Sequence, residues 1–428
     1  MDLPVIQNLD ALGTTLLRRD ALAILEAGYE AVLTEGVIRE EIRLIDGNLT
    51  VRGRAFALAN YDRVLFVGIG KCAVDAATLF EEILGDAISD GIVLDVKPGT
   101  FRRLRSFVGT HPFPSEENAE YTRAIVRLLS GLTERDLVLT VVSGGGSALL
   151  SLPHGISIDH LQAVTKALWK GGATITEVNT VRKHLSEVTG GQLAKIAAPA
   201  TMLSFLFSDV PGNNMEMIAS GPTVRDSTTV EDAEAIIERY NVLSMVGLPS
   251  LPFIETPKES VYFDRVWNIL LVTNDRALTA MKAKATALGY RAEITYDALE
   301  GIASDVGAKF ATVPVPAHSC FLFGGETTVK IRGDGAGGRN QEFALAAVPH
   351  ILDGRVIVAA GSDGWDNSDV AGALCDAGDR KRAEVCGISP ADHLARNDSY
   401  PFWKAIGGSI ETGKTGVNVA DFYFIISE

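Results

Sequence analysis

The sequence predicts an α/β protein made of two α/β domains, each with a mostly parallel, helix-covered sheet, facing a cleft between them. Three observations carry this. Strand-like apolar runs alternate with helical patterns along nearly the whole chain, the mark of βαβ construction. At 428 residues the chain exceeds what one hydrophobic core ordinarily serves. A stretch with Pro249, Pro252 and Pro257 and little periodicity interrupts the alternation. The expected domains are therefore 1–250, Rossmann-like, and 251–428.

The elements follow in order. Leu12, Leu16, Leu17, Ala21, Leu22 and Leu25 recur at helical spacing between Asp10 and about Glu35. A hairpin is expected around Asp46-Gly47-Asn48, which is turn chemistry. Strands are then expected at 63–69, 91–96, 136–142 and 201–207, with helices at 72–84, 116–131, within 147–173 and 177–198, and at 230–240. After the prolines the alternation restarts. Strands fall at 268–273, 291–296, 319–324, 327–332, 355–360 and 419–426, and helices at 275–288, 301–312, 339–352 and 370–386.

Composition excludes several function classes. A formal net charge of −15 argues against nucleic acid or an anionic membrane as partner, because both select basic surfaces. No apolar run approaches the roughly 20 residues of a membrane span. Met1-Asp2-Leu3-Pro4 lacks a basic signal region, and the four cysteines share no CxxC spacing, so a reducing, cytoplasmic setting is expected. Cys72 reads as a small packing residue. Small-molecule partners are expected, and the sequence leaves homodimerisation open.

Four apolar runs end in glycine or a small polar cluster and then turn helical. They precede Gly70-Lys71, Ser143-Gly144-Gly145-Gly146-Ser147, Ser208-Asp209, and the Gly333–Arg339 segment that carries Gly335, Gly337 and Gly338. Ligands in open α/β sheets gather beyond the carboxyl ends of strands, and glycine with a helix start suits phosphate or carboxylate oxygens. Lys71 can reach back over its strand end. Arg339 opens a helix, where the dipole disfavours a cation unless an anion shares the site. Asp209 serves either as a turn cap, as a Mg²⁺ ligand, or as acceptor of a hydroxyl proton. Asp363 has the same ambiguity. Arg182 and Lys183 point about 100° apart on one helix, so a single one is expected to face a ligand, and His184 reads as structural. Glu326 and Asn340 complete the candidate binding residues. Gly408–Thr415 fits the phosphate-loop pattern letter for letter but lacks the strand before it and the helix behind it, so it reads as a chance match.

Taken together, Gly68–Lys71, His111-Pro112-Phe113-Pro114, Ser143–Leu150, Asn179–Ala194, Ser208–Thr223 and Gly333–Glu342 resemble the signature blocks of the class II D-glycerate 2-kinases, whose C-terminal half is called the MOFRL domain. The blocks stand in the family's order from about residue 10 onward. The resemblance implies ATP-dependent phosphorylation of the 2-hydroxyl of D-glycerate with Mg²⁺ or another divalent cation. It also implies that Lys71 and Arg339 are the catalytic lysine and arginine. Departures occur at Asn213-Asn214, where the family often has acidic residues, and at Lys414, where proline is common. The runner-up is an NAD(P)H-dependent hydroxypyruvate reductase, which draws on the G-x-G-x-x-G match at Gly333–Gly338 with Asp363 as the ribose acid. A third alternative is a binding protein without turnover.

Overall fold

Arg63–Ile69, Asp136–Val142 and Thr201–Phe207 are apolar on both faces, and in the computed structural model, which describes residues 3–428, they form the centre of a parallel sheet. The strands, in chain order, begin with a small antiparallel sheet of β1 (Ile42–Ile45), β2 (Asn48–Val51) and β3 (Arg54–Ala57). The first large sheet contains β4 (Arg63–Ile69), β5 (Asp90–Asp95), β6 (Leu104–Val108), β7 (Asp136–Val142), β8 (Thr201–Phe207) and β9 (Val266–Val272). Its order is β6-β5-β4-β7-β8-β9, and the pairs from β6 to β8 are parallel.

That order fixes where a ligand can sit. The chain leaves β4 toward β5 and β6 on one side, then returns to place β7 on the other. The connections above β4 and β7 therefore diverge, and Ile69 and Val142, paired in register at the strand ends, flank the opening.

The second large sheet contains β10 (Arg291–Ile302), β11 (Ser319–Thr328), β12 (Arg355–Gly361), β13 (Gly372–Asp376), β14 (Ser409–Ile410) and β15 (Asp421–Ser427), in the order β10-β11-β15-β12-β13-β14. Here the expectation of a mostly parallel sheet gives way to a mixed one. Only β10 and β11 pair parallel; the terminal strand β15 inserts antiparallel between β11 and β12, and β13 and β14 continue antiparallel. Phe310, Phe343 and Tyr423 meet edge-on and tilted in this unit's core.

The compact units also divide the chain elsewhere than at residue 250. One holds the residues up to Gly36 with Val272–Glu428, the other Val37–Leu271. The reason is the N-terminal helix Leu16–Val32, whose apolar face packs on the helix Asn274–Ala287. Gly28 permits that approach, since a Cβ there would lie 2.7 Å from Met281.

Three local differences have physical causes. The expected strand 327–332 ends at Thr328, because the Arg332 and Gly333 amides are taken by Asn397 Oδ1 instead of a neighbouring strand. The expected helix 370–386 divides into β13 and the helix Gly378–Val385, with Asp379 Oδ2 accepting from Asp376 N at the junction. Strand β6 is a short edge strand whose five residues include Arg105 and Ser106, so no run of apolar residues marks it.

Candidate active site

At the divergence between β4 and β7, two loops lock backbone to backbone. Lys71 N donates to Gly144 O at 3.0 Å, and Ser143 N donates to Ile69 O at 2.9 Å. Gly70 has φ +114°, and a Cβ there would lie 2.2 Å from Ser143 Oγ, so glycine is required by packing against the protein itself. Ser143 is fully buried, and its hydroxyl accepts from Cys72 N at 3.2 Å. Gly70 and Ser143, expected among the binding residues, are thus fasteners of the loop pair. Burial pushes the Cys72 thiol up to about 12, in keeping with a packing residue.

What this junction presents outward is different. The N–H groups of Gly144 and Gly145 meet no acceptor among the described residues. Each glycine lies beneath a charged group. A Cβ on Gly144 would sit 2.7 Å from Asp209 Oδ2, and one on Gly145 would sit 3.2 Å from both the Lys71 stem and the His111 ring. Gly146 packs instead on Ala219, at 2.5 Å by the same construction. Lys71 is exposed and forms no ion pair among the described residues. Burial raises the Asp209 carboxyl, with the Lys71 charge drawing it part of the way back. Burial and then the Lys71 charge lower the His111 imidazole. Among the described residues, three loops thus bring together one cation without an ion pair, two amides without an acceptor and one carboxyl with a raised affinity for protons.

Two residues that the sequence did not single out hold this arrangement. Asn118 is buried; its Oδ1 accepts from Thr110 N at 2.8 Å, and its Nδ2 donates to Thr110 O and Ala148 O, both at 2.9 Å. It thereby ties the His111 loop to the glycine loop. Ser220 shares a hydrogen bond with Ser147 Oγ at 2.9 Å and donates to Asn179 Oδ1 at 3.1 Å. Ala219 and Ser220 adopt positive φ, 49° and 59°, a strained pair pressed against Gly146. No sequence signal marks a non-glycine residue for that conformation.

The helix Ile175–His184 divides its cations as the 100° spacing requires. Arg182 reaches Ser147 O with one N–H of its guanidinium. Lys183 points into the protein and salt-bridges Asp226 at 2.5 Å, with both side chains buried. The charge of Lys183, expected among the binding residues, is paired with Asp226, whose carboxyl it holds down against burial. His184 is structural, with Nδ1 against Thr180 O at 2.8 Å and Nε2 3.3 Å from Glu255.

In the other unit, Arg339 opens the helix Arg339–Ala347 as expected, but the anion that shares the site is the protein's own. Its Nε meets Asp421 Oδ2 at 2.6 Å, its Nη2 meets Asp421 Oδ1 at 3.1 Å, and its Nη1 meets Glu326. Burial works against the guanidinium, yet these carboxylates hold it above its ordinary value. Glu326, expected to bind substrate, is a partner of Arg339.

The helix's amides are occupied too. Buried Asp366 accepts from Asn340 N at 3.1 Å and from Gln341 N at 2.8 Å, and burial raises its carboxyl to about 6. Asn340 is buried beside it, its Nδ2 3.4 Å from Asp366 Oδ1. The glycines of this segment are explained by their neighbours. A Cβ on Gly335 would meet Arg396 O at 2.6 Å, on Gly337 Ser399 Oγ at 2.1 Å, and on Gly338 Asp366 O at 2.2 Å. The amides of Gly335 and Ala336 go to Arg396 O and Asp398. Gly335, Gly337 and Gly338 each pack closely against the protein's own atoms. The segment forms one wall of a pocket of about 700 Å³ that also exposes Glu326, Asp334, Asp363 and Arg339. Burial raises the Asp363 carboxyl there. Its acidic lining suits a divalent cation held with help from other oxygens. Among the described residues no three His, Cys, Asp or Glu side chains are gathered to hold a metal alone.

The family model described as "Domain of unknown function (DUF4147)" matches residues 20–247, and the "MOFRL family" model matches residues 319–421. The chain is 35% identical over 423 residues to the D-glycerate 2-kinase of Thermotoga maritima, covering 95% of this chain and 97% of that protein. This chain belongs to the glycerate 2-kinase family. A second member, the glycerate 2-kinase of Pyrococcus horikoshii, is 37% identical over 416 residues, 91% of each chain. The crystal structure of the Thermotoga maritima glycerate kinase superimposes with a TM-score of 0.84 at 33% identity, covering 96% of this chain and 99% of that one. Within this family member the phosphate-loop lookalike Gly408–Thr415 follows the helix Ser399–Ile406, spans the two-residue β14 and leads to β15 without a helix. Its Lys414 lies 5.3 Å from the Trp365 ring. Among the described residues no helix is long and apolar enough to cross a membrane.

Proposed function

We propose that this protein is a cytoplasmic D-glycerate 2-kinase that transfers the γ-phosphoryl group of ATP to the 2-hydroxyl, giving 2-phosphoglycerate and ADP. The observation that carries the reading is the outward face of the Gly144–Gly145 loop, whose amides lack an acceptor among the described residues and lie between the Asp209 carboxyl and the Lys71 side chain. In an acidic molecule, such a spot is fitted to phosphate oxygens.

In this reading the 2-hydroxyl oxygen attacks the γ-phosphorus, the bond from phosphorus to the β–γ bridging oxygen breaks, and ADP leaves. Lys71 and the two amides stabilise the negative charge on the transferring group. Phosphoryl transfer asks for fixed positive groups and little covalent chemistry from the protein. Asp209, held beside Lys71 with its proton affinity raised, accepts the hydroxyl proton. Arg339 supplies a second cation whose orientation is fixed in advance by Asp421 and Glu326. Asp363, with Asp209 as the other candidate, would hold Mg²⁺ or another divalent cation, whose chemistry is to neutralise phosphate charge.

The reductase alternative loses its footing, since the glycines of its G-x-G-x-x-G are filled by Arg396–Ser399 and Asp366. ADP release with D-glycerate and ATP, run beside NADH consumption with hydroxypyruvate, separates the two. ADP formation dependent on D-glycerate is the expected result. NADH oxidation without ADP release would reverse the assignment.

A further inference from the structure

Arg182, half-buried, is unlike its buried neighbour Lys183. Lys183, one residue on, has Asp226; Arg182 forms no ion pair among the described residues, and beyond its bond to Ser147 O its N–H groups meet no acceptor. Burial lowers the guanidinium to about 10, so it is charged at neutral pH. Arg182 is half-buried, and a guanidinium in that position with donors to spare is open to an anion that completes it.

The space beside Arg182 supports that. A small cavity of about 10 Å³, room for one oxygen-sized group, is lined by Arg182, Thr189 and serines, and also by Leu150, Leu152 and Leu161. The Thr189 hydroxyl, in a residue only 4% exposed, has no hydrogen-bond partner. An orphaned buried hydroxyl beside an unpaired guanidinium is a donor set awaiting an anionic oxygen. The cavity adjoins the proposed centre through the chain itself. Ser147, whose carbonyl Arg182 holds, lies three residues beyond Gly144 and two beyond Gly145, so at most about 11 Å of backbone separates it from the positions under Asp209 and Lys71.

We propose that Arg182, with the Thr189 hydroxyl, is the subsite for the carboxylate of the phosphoryl acceptor, an inference that rests on the kinase reading above. A guanidinium beside a free hydroxyl suits one carboxylate oxygen, and a space of about 10 Å³ admits that oxygen but no phosphate chain. Anchoring the carboxylate also selects the hydroxyl: the 2-hydroxyl is on the adjacent carbon, and the 3-hydroxyl is one carbon further away.

The test measures KM for D-glycerate and for ATP in Arg182→Lys and Thr189→Val, with D-glyceramide as a neutral competitor substrate. Arg182→Lys should raise KM for D-glycerate about 100-fold and leave KM for ATP near wild type. It should also erase most of the preference for the acid over the amide. Thr189→Val should raise KM for D-glycerate about threefold to tenfold without lowering the melting temperature, because it removes an unpaired hydroxyl. A merely structural role would lower the melting temperature and leave the acid-to-amide preference intact, which would overturn the proposal. So would a rise confined to KM for ATP. Calorimetric titration with D-glycerate alone keeps the two readings apart. Binding that depends on Arg182 in an enzyme without turnover supports the subsite and sinks the kinase reading. Turnover with unchanged KM in both variants sinks the subsite alone, and neither binding nor turnover in the wild type overturns both.

Discussion

The Arg339 guanidinium and the Asp421 carboxylate form a two-point ion pair, Nε to Oδ2 at 2.6 Å and Nη2 to Oδ1 at 3.1 Å. Asp421 is 1% exposed, so the pair serves the fold as well as the chemistry. Arg339→Ala would strand a buried carboxylate and is expected to cost up to about 3 kcal/mol of stability in addition to its loss of turnover. Arg339→Lys keeps the charge but not the fork. It should retain most of the stability while lowering kcat by about 100-fold, read by thermal melting beside steady-state kinetics. Equal losses of stability in both variants would mean that shape, not charge, is what Asp421 requires.

Lys71 is the opposite case. It is exposed and unpaired, so Lys71→Ala should leave the melting temperature nearly unchanged while turnover falls by about a thousandfold. A turnover within a few fold of wild type would remove Lys71 from the chemistry.

The same substitution has a spectroscopic consequence. The Lys71 charge contributes to holding the His111 imidazole low. Removing a neighbouring cation favours the protonated ring, so the His111 pKa should rise in Lys71→Ala. An NMR titration of the histidine resonances reads this directly, and an unmoved or lowered value would place the two side chains apart in solution.

Asp209 makes a pH prediction. A proton acceptor works only when ionised, so activity is lost as pH falls through its pKa, and burial moves that value up from the ordinary 3.9 or so. The acid limb of kcat should therefore lie above the normal carboxylate range, and Asp209→Asn should lower kcat by about 100-fold or more. Gly144→Ala tests the geometry: its methyl group would displace the carboxylate, and turnover should fall with the fold intact. An acid limb unchanged in Asp209→Asn would assign the titration to another group.

Much of the first unit was legible because its strands are apolar on both faces and its glycines coincide with strand ends. The second unit misled in an instructive way. Arg339 at a helix start does require an anion, but sequence spacing could not reveal that Asp421, from a strand inserted antiparallel 82 residues later, would provide it. Gly335, Gly337 and Gly338 each lie close to the protein's own atoms, and glycine in a sequence marks such an approach without naming the neighbour. Lys183 and Arg182 were separated by helical geometry, but which of them faced inward depended on Asp226.

Asp366 tests the cap that closes the second unit's helix. Its folded value of about 6 exceeds that of an unfolded aspartate near 4, so ionisation is harder in the folded state. Its contribution to stability is therefore greatest below about pH 4, falls between 4 and 6, and is level above. Asp366→Asn should abolish that slope in urea-unfolding free energies measured across the interval. A slope identical to wild type would show that Asp366 is not the titrating group.

The position of the transferred phosphate decides the chemistry. ³¹P NMR of the products formed from ATP, Mg²⁺ and D-glycerate should show ADP and 2-phosphoglycerate in equal amounts. A spectrum of 3-phosphoglycerate, or of ATP left intact, would contradict a 2-kinase built on the Lys71 and glycine-loop site.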